Sequence, residues 1–345
     1  MFVYHACCGL GHRLARQAGA YHASHRLGFQ LKVDWGKCGE RDVFASMFRE
    51  ETEAELDTYV HSVNQSFETH NEVPGTYHAF HNCVPDELET NYKFYSELRG
   101  RFLGEDKVQQ FVQQHFQNKF ALGIHIRDGN GEKGDFENKK RGIKVTAEEW
   151  TERVAKKILD IVEDAKNYTQ DLPPPVLFVA TDNAKYFGLF QTQLEAQGIP
   201  VVHWEQEHAA EGTGVFMGQW GQGGINDEQC LQKWMDMQLD QVLLSSTDVV
   251  IAGQYSSFSQ TMPMHLALGK SQEHRKVEKT FCEVLNDGTD MDCHRNQMEW
   301  CMNTRYMNAV KTWIPRRQKN ATGWTEFLAQ LPTSPNYRNF SQLTT

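Results

Sequence analysis

The strongest hydrophobic pattern in the chain is the run FALGIHI at residues 120–126, where a polar side chain appears only near the end. A short and almost continuous apolar run predicts a buried β-strand. The polar, glycine-rich stretch that follows, residues 127–136, carries one arginine and three acids. Because ligands bind at the carboxyl ends of strands in open α/β sheets, this stretch is predicted either to hold a charged ligand or to be a solvated surface turn.

Strand, turn and helix patterns repeat on both sides of this run. Residues 227–246 have apolar positions at helical spacing, and Thr146 followed by Glu149 has the pattern of a helix-capping box. The repetition between 120 and 268 predicts an α/β fold with a mostly parallel sheet of Rossmann type. The predicted strands are 2–6, 30–35, 120–126, 176–180, 199–204 and 249–252, and the predicted helices are 13–27, 50–62, 104–117, 146–166, 227–246 and one ending near 268.

The composition of the chain limits the classes of partner. With 345 residues, 39% of them hydrophobic and 23% charged, the chain is long enough for two globular domains. Its net charge of -10 disfavours nucleic acid or an anionic membrane as the main partner. No apolar run approaches the roughly 18 to 20 residues that cross a bilayer, so we expect no membrane span in this chain.

Cysteines and glycosylation motifs favour a secretory compartment. Eight cysteines are too few for a disulfide scaffold, but Cys282, Cys293 and Cys301 cluster in the tail, where bridges would staple a loop-rich segment. We expect the secretory pathway or Golgi lumen if an N-terminal anchor was removed, and the cytoplasm otherwise. Asn-X-Ser/Thr motifs occur at Asn64, Asn167, Asn320 and Asn339.

Two loop segments have alternative interpretations. His78, His81 and Cys83 are close enough in sequence to suggest metal ligands, but no second pair of ligands has a matching spacing, so ordinary loop histidines are favoured. We therefore predict no metal site at these residues or elsewhere.

The glycine-rich loop at 212–224 is either a lid over a site or a flexible connection.

The residues after the central strand have the chemistry of a diphosphate site. Arg127 is always charged, and its planar guanidinium fits phosphate oxygens in pairs, while neighbouring glycines let backbone amides approach a ligand. Glu132 and Asp135 lie at the mouth of the same turn, where a carboxylate would accept a proton from an attacking hydroxyl.

Other polar residues stand at the starts of predicted helices or beside a core stripe. Ser256 and Ser257 follow a predicted strand, where they are either helix caps or hydrogen-bond donors to a phosphate. Gly9 and Gly11 form either a tight turn or a backbone site for a phosphate or sugar. Asp240 lies close to an apolar helical stripe, and a carboxylate in that position needs a partner or a role.

Four ordered blocks of the sequence are CGLGHRLARQAGAYHASHRLGFQLKVDW, GIHIRDGNGE, LFVATDN and LDQVLLSSTDVVIAGQYSSFS. Together, these blocks resemble the α1,6-fucosyltransferase superfamily, which includes the rhizobial nodulation and animal core fucosyltransferases and, more distantly, the protein O-fucosyltransferases. The resemblance implies a GT-B-like pair of Rossmann-type domains facing a cleft. We expect an N-terminal domain at 1–117 on the acceptor side, a nucleotide-sugar domain at 118–270, and a cysteine-containing tail at 271–345.

The resemblance also implies inverting transfer of fucose from GDP-fucose to a glycan, without a metal or other cofactor. The acceptor expected is GlcNAc of an N-glycan or chitooligosaccharide, linked α1,6. Arg127 matches the arginine on the β-phosphate, and Glu132, or alternatively Asp135, is the expected base. The other matches are His125 and Asp240 for guanine, Ser256 or Ser257 for the hydroxyl that helps hold the β-phosphate, Asp182 in the strand-end TD pair, and Gly9 and Gly11 at the domain cleft. Phe258, next to these serines, is also expected to bind the donor.

One departure from the family pattern keeps alternatives open. The family often has a second basic residue after the arginine, whereas this chain has Asp128, which would repel a phosphate unless it faces the acceptor or pairs with Lys133. The alternatives are transfer of another GDP-sugar, transfer of fucose to a protein hydroxyl, or a catalytically silent glycan-binding relative.

Overall fold

The protein is described here from a computed structural model. The residues that it describes are 2–5, 9–27, 31–49, 61–63, 85–132, 142–169, 171–212, 226–253, 256–268 and 280–294. Within these ranges, no helix is long and apolar enough to cross a membrane.

Between residues 120 and 284 most strands are followed by a helix, as the sequence predicts, whereas the first part of the chain is less regular. In chain order, the first part contains β1 (Phe2–His5), α1 (Leu10–Leu27), β2 (Leu31–Asp34), β3 (Lys37–Cys38), β4 (Arg41–Asp42), α2 (Val43–Met47), β5 (His61–Val63), α3 (Pro85–Gly100) and α4 (Glu105–His115). The second part contains β6 (Phe120–Ile126), α5 (Ala147–Tyr168), β7 (Pro175–Thr181), α6 (Lys185–Leu194), β8 (Val201–Val202), α7 (Asp227–Ser246), β9 (Val249–Gly253), α8 (Met262–Leu268), β10 (Thr280–Val284) and β11 (Met291–His294).

The larger sheet has six strands in the order β11-β10-β9-β6-β7-β8. Strand β6 pairs in parallel with β7 and β9, and β10 pairs in parallel with β9, whereas the edge strand β11 is antiparallel. The prediction of a mostly parallel α/β sheet is therefore confirmed. Since β6 is central and parallel to its neighbours, the carboxyl ends of β6, β7 and β9 meet at one edge of the sheet.

The two faces of β6 are covered by different helices. Ile124 packs in an apolar cluster with α5 and α6, and Ala121 packs on the opposite face in a cluster that includes α7. On that second face, a Cβ atom at Gly123 would lie 3.0 Å from a side-chain carbon of Leu244, so the glycine lets α7 approach closely. Alternation along the strand puts His125 on the same face, above α7.

The smaller sheet has the order β2-β1-β5, with both pairs parallel. The sequence predicted a helix at 50–62, and its last residues are wrong, because His61 and Ser62 belong to β5. These residues form backbone hydrogen bonds with β1. This pairing between distant parts of the chain outweighs their local helix propensity.

One apolar cluster extends across the predicted domain boundary at 117. It contains Leu14 of α1 and Phe102 as well as Phe178 of β7 and Trp234 of α7. The indole of Trp234 lies 5.9 Å from the ring of Trp35, which follows β2. The division into domains stays a prediction, and the two sheets share a continuous core.

The start of the predicted tail belongs to the larger sheet. Strands β10 and β11 lie beyond residue 270 and form the edge next to β9. Cys282 and Cys293 face each other in this pair and form a disulfide bond. Cys301, the other cysteine predicted to staple the tail, lies outside the described residues.

Candidate active site

A cavity of about 350 Å³ lies at the carboxyl edge of the larger sheet. Its walls come from the ends of β6 and β7, the segment after β8, one face of α7, the turn after β9 and the start of α1. The residues that line it are Gly9, Leu10, Gly11, His125, Arg127, Gly129, Asn130, Glu132, Thr181, Asp182, Gln206, Glu207, His208, Ala209, Lys233, Met237, Asp240, Ser257 and Phe258.

Arg127 is held between two carboxylates. One terminal nitrogen pairs with Asp182 and the other pairs with Glu132. Asp182 is itself fixed, because its carboxylate accepts hydrogen bonds from the backbone amides of Asp128 at 2.9 Å and Gly129 at 2.8 Å. Among the contacts described, Glu132 is bound by its side chain to Arg127 alone. Asp182 is therefore the rigid partner of the guanidinium and Glu132 the more easily displaced one.

The turn that carries these groups, residues 127–132, is tight. Gly129, Asn130 and Gly131 all have positive φ, at 84°, 44° and 86°, and asparagine tolerates this conformation better than most residues. The backbone amide of Glu132 closes the turn by donating to the carbonyl of Gly129 at 2.7 Å. This closure brings the carboxylate of Glu132 back towards Arg127, five residues earlier.

The carboxylate of Asp128 has polar and charged partners. Its carboxylate accepts a hydrogen bond from Asn183 Nδ2 at 3.1 Å and lies 3.4 Å from Lys185 Nζ. The sequence suggested Lys133 as its partner, which lies outside the described residues. Lys185, the first residue of α6, supplies a positive charge beside the acid that stands where the family often has a basic residue.

His125 is buried, and hydroxyl groups surround its Nδ1 atom. Ser259 Oγ lies 2.7 Å and Ser256 Oγ 3.0 Å from that atom, and the ring of Phe258 stacks on the imidazole at 4.4 Å. Burial, together with the charge of Arg127, lowers the pKa of His125 to about 3, against the opposing effect of Asp182. The imidazole is therefore neutral at physiological pH.

Asp240 is a buried carboxyl group with one oxygen unused. Its Oδ2 atom accepts a hydrogen bond from Gln206 Nε2 at 2.7 Å, whereas Oδ1 has no hydrogen-bond partner among the described residues. Burial raises the pKa of Asp240 to about 8; Gln206 opposes the rise and Asp236 adds to it. A buried polar atom without a partner costs free energy, and a ligand in the cavity would satisfy it.

The start of α1 meets the turn after β9 at Gly11. A Cβ atom on Gly11 would lie 2.4 Å from the backbone carbon of Ser257 and 2.6 Å from the nitrogen of Phe258, so glycine is required for this approach. The hydroxyl of Ser257 also lies 3.2 Å from Nδ1 of His12. Gly9 and Gly11 both line the cavity, together with Arg127 and Asp240.

The structure brings nearly all of the predicted site residues together. Ser256 is not part of the wall but contacts His125 behind it, and Asp135 lies outside the described residues. Their roles in binding or catalysis stay predictions. Gly9, Gly11, His125, Arg127, Glu132, Asp182, Asp240, Ser257 and Phe258 all line the one cavity.

Sequence reasoning missed several lining residues. Lys233 is a half-buried cation of the cavity wall, and it precedes Met237 and Asp240 on the same face of α7. The spacing of four and three residues was a signal that would have found it. Gln206 had no comparable signal, because it lies in an irregular segment and contacts Asp240 across 34 positions of sequence.

A metal ion has no evident ligands in the part of the chain that the structure describes. No group of three or more histidine, cysteine, aspartate or glutamate residues is arranged there to hold one. His78, His81 and Cys83 lie outside the described residues.

Comparisons with known proteins give matches only among solved structures. No family model matches the chain, and no curated protein does. The fold is similar to that of NodZ α-1,6-fucosyltransferase soaked with GDP-fucose, with 14% identity, a TM-score of 0.47, and coverage of 86% of this chain and 98% of NodZ. It is also similar to Arabidopsis thaliana FUT1 in complex with GDP, with 12% identity, a TM-score of 0.43, and coverage of 82% and 69%. POFUT1 in complex with GDP-fucose has 10% identity, a TM-score of 0.44, and coverage of 82% and 96%.

Proposed function

We propose that this chain is a glycosyltransferase that moves fucose from GDP-fucose to a glycan. The observation that carries the proposal is the convergence of separate sequence blocks on one cavity. Gly11 near the amino terminus, Arg127 after β6, Asp182 after β7, Asp240 on α7 and Ser257 after β9 all line it. These are the blocks on which the resemblance to the fucosyltransferase superfamily rests.

The base end of the cavity, formed by His125, Gln206 and Asp240, is suited to guanine. The Watson–Crick edge of guanine presents neighbouring N–H donors, and Asp240 offers a buried oxygen that has no donor within the described part of the chain. Neutral His125 lies on the same side of the sheet, above α7, with its Nδ1 atom engaged by serine hydroxyls. We assign this end to the nucleobase.

The phosphate end, formed by Arg127, Glu132 and Asp182, is suited to the diphosphate. A guanidinium pairs with phosphate oxygens through two parallel hydrogen bonds, and it neutralises the charge that develops on the leaving group. Because Asp182 is fixed by backbone amides, the diphosphate would compete with Glu132 for the guanidinium. Arg127 would then do the work that a metal ion does in other transferases.

Competition between the diphosphate and Glu132 for Arg127 would also release the catalytic base. In the reaction, the acceptor oxygen bonds to C1 of fucose from the face opposite the diphosphate, the bond from C1 to the phosphate oxygen breaks, and GDP departs with the bonding electrons. The proton of the acceptor hydroxyl passes to a carboxylate, which we assign to Glu132, with Asp135 as the alternative. Glu132 is buried beside Arg127, so diphosphate binding and base release would occur at the same place.

The acceptor and the compartment are also part of the proposal. The block GIHIRDGNGE, which resembles the nodulation enzyme most, supports α1,6 transfer to GlcNAc of an N-glycan or a chitooligosaccharide. The disulfides Cys38–Cys230 and Cys282–Cys293 support an oxidising compartment, because such bonds persist in the secretory pathway and are rare in the cytosol.

Thermal denaturation with nucleotides tests the proposed donor first. A ligand that binds only the folded state raises the melting temperature, by an amount that grows with its concentration over Kd. We expect a shift with GDP and none with ADP or UDP at equal concentration. A transfer assay with GDP-fucose and chitooligosaccharides then tests the reaction. A chain that shows no shift with any nucleotide and binds glycans would be a silent binding module instead.

A further inference from the structure

Gln206 lies at the base end of the cavity without belonging to any of the recognised sequence blocks. It lines the cavity next to Asp240, and its Nε2 atom donates to Asp240 Oδ2 at 2.7 Å. An ionised carboxylate can only accept hydrogen bonds, so when Asp240 is ionised, the form that the proposed guanine contact uses, the amide nitrogen of Gln206 is the end that faces it. The amide oxygen of Gln206 is then the end that remains for a ligand, and it makes no hydrogen bond within the described residues.

The segment that carries Gln206, residues 203–212, is fastened on both sides of it. Two residues earlier, the indole of Trp204 donates to Asp236 Oδ1 at 3.0 Å. Two residues later, the ring of His208 lies 3.1 Å from the carbonyl of Thr181 and 3.1 Å from the carbonyl of Gln206 itself. The position of Gln206 is thus set by contacts to α7 and β7, and it does not depend on the loop alone.

Asn130 fastens the far end of the same segment to the turn at 127–132. Its side-chain nitrogen donates to the carbonyls of Ala209 and Ala210 at 3.2 and 3.3 Å, and its oxygen accepts from the amide of Gly212 at 2.9 Å. The two ends of the cavity are therefore joined through segment 203–212.

We propose that Gln206 is a specificity-determining residue, which forms with Asp240 a pair of neighbouring acceptors that selects guanine from other bases. The proposal rests on the proposed function, since it takes the ligand to be a guanine nucleotide. Guanine offers adjacent donors, the N1 hydrogen and the 2-amino group, to Asp240 Oδ1 and Gln206 Oε1. Hypoxanthine lacks the 2-amino group, and adenine has an acceptor at N1, so each leaves a polar group of the pair unsatisfied.

Gln206 has a second, electrostatic effect on Asp240. The charged group that acts on this carboxyl is Asp236 on α7, and the titratable groups Lys233, Glu207 and His125 line the same cavity. Burial and Asp236 raise the pKa of Asp240, and the hydrogen bond from Gln206 lowers it. Guanine donors need the ionised carboxylate, so Gln206 extends guanine binding to lower pH.

Two substitutions separate recognition from packing. In Gln206→Ala both the amide oxygen and the amide donor are lost, and in Gln206→Glu the size is kept while a negative charge is added beside Asp240. The affinities of GDP and IDP, which differ only in the 2-amino group, are measured by calorimetry from pH 6 to 9 on the full chain. Dividing each variant's affinity by that of the wild type at the same pH cancels the titration of the phosphates.

We expect the wild type to prefer GDP over IDP by about tenfold, the value of one hydrogen bond to a buried acceptor. In Gln206→Ala, GDP binds about tenfold more weakly and the preference over IDP falls towards one. In Gln206→Glu, GDP binds more weakly still, and the loss is larger at low pH because the added charge raises the pKa of Asp240 further. Gln193→Ala, an exposed glutamine of α6, is the matched control and should bind like the wild type.

The outcomes separate this inference from the proposed function. A wild type that binds neither GDP nor IDP overturns both. A wild type that binds GDP, with unchanged GDP and IDP affinities in both variants, overturns the role of Gln206 and leaves the donor assignment standing. A packing role alone predicts that the isosteric Gln206→Glu retains the GDP preference and the pH profile, which would also overturn it.

Discussion

The two proposed ends of the cavity should meet a ligand in opposite ways. At the proposed base end, one buried oxygen of Asp240 has no hydrogen-bond partner among the described residues, so a ligand would add a contact there. At the proposed phosphate end, Arg127 already pairs with Asp182 and Glu132, and we expect a diphosphate to replace Glu132, the less firmly held of the two. Affinity is therefore expected to come largely from the base end, and the phosphate end exchanges one anion for another. Substitutions at the two ends should differ in which ligands they affect.

Removal of the arginine should have the largest effect. In Arg127→Ala the charge that meets the leaving diphosphate is lost, and we expect kcat/KM with GDP-fucose to fall by about 10³-fold or more. Binding of guanosine, which has no phosphate, should not change. Both are measured by a transfer assay and by calorimetry, with Arg153→Ala on α5 as the control. Retained transfer in Arg127→Ala would overturn the mechanism.

Replacement of the Asp240 carboxylate should have the next largest effect. In Asp240→Asn the side chain keeps its shape, but it presents at most one acceptor oxygen to the base, and we expect the affinity for both GDP and guanosine to fall by about 100-fold. Asp160→Asn, on the exposed face of α5, is the matched control. A variant that loses GDP but keeps guanosine would place Asp240 at the phosphate end instead.

The pH dependence of guanosine binding should follow Asp240. In the free protein this group is protonated below its pKa of about 8, and guanine donors need the ionised form. The affinity should therefore fall about tenfold for each pH unit below 8, and above 8 it should level off until guanine loses its own N1 proton at more alkaline pH. Guanosine is the ligand of choice because it carries no titrating phosphate. A flat profile in the wild type would contradict the assignment of Asp240 to the base.

The stability of the ligand-free protein should change with pH in the opposite direction. The folded-state pKa of Asp240, about 8, lies above the ordinary value of 3.8, so folding retains a proton that the unfolded chain releases. The stability linked to this proton is fully present below pH 4 and is lost as the pH rises to 8. Asp240→Asn should remove this component, which urea denaturation at pH 5 and pH 8.5 would measure.

The smallest effect on binding is expected at Glu132. This substitution tests most directly whether a ligand displaces a carboxylate at the proposed phosphate end. Glu132→Gln frees Arg127 from a competing carboxylate, so GDP should bind about fivefold more tightly, with guanosine unchanged. Transfer should nevertheless fall by about 100-fold or more if Glu132 is the base. Glu152→Gln, on the exposed side of α5, is the control. Weaker GDP binding would mean that Glu132 orients Arg127 and does not compete with the ligand.

The elements that the sequence predicted best are those whose local signals agree with their packing. Strand β6 has the predicted bounds because a continuous apolar run is buried on both faces, and α7 begins after Asn226, which caps it. The predicted strand at 199–204 is shorter, since only 201–202 pairs with β7 and the following residues turn into the cavity wall. Most of the site residues were found at or just after the end of a strand, whereas Asp240 was found beside the apolar stripe of α7.

Contacts between distant segments could not be predicted from the sequence. Nothing in the residue pattern indicated that Glu132 turns back onto Arg127, because that depends on the left-handed backbone at 129–131. The bond between Gln206 and Asp240 and the disulfide between Cys38 and Cys230 join segments 34 and 192 positions apart. Such pairings follow from the way that the sheets pack, and local propensity carries no information on them.

The bond between Cys38 and Cys230 bears on how the protein has to be made. It joins the β3–β4 hairpin to the first turn of α7, the helix that carries Asp240, and closes a loop of 192 residues. A cross-link over a loop of that length is worth about 5 kcal/mol by limiting the freedom of the unfolded chain. In a bacterial cytosol, where thiols stay reduced, the chain would fold without it. Material for nucleotide titrations should therefore come from an oxidising expression host, and loss of GDP binding on treatment with a reductant would reveal how far α7 depends on its anchor.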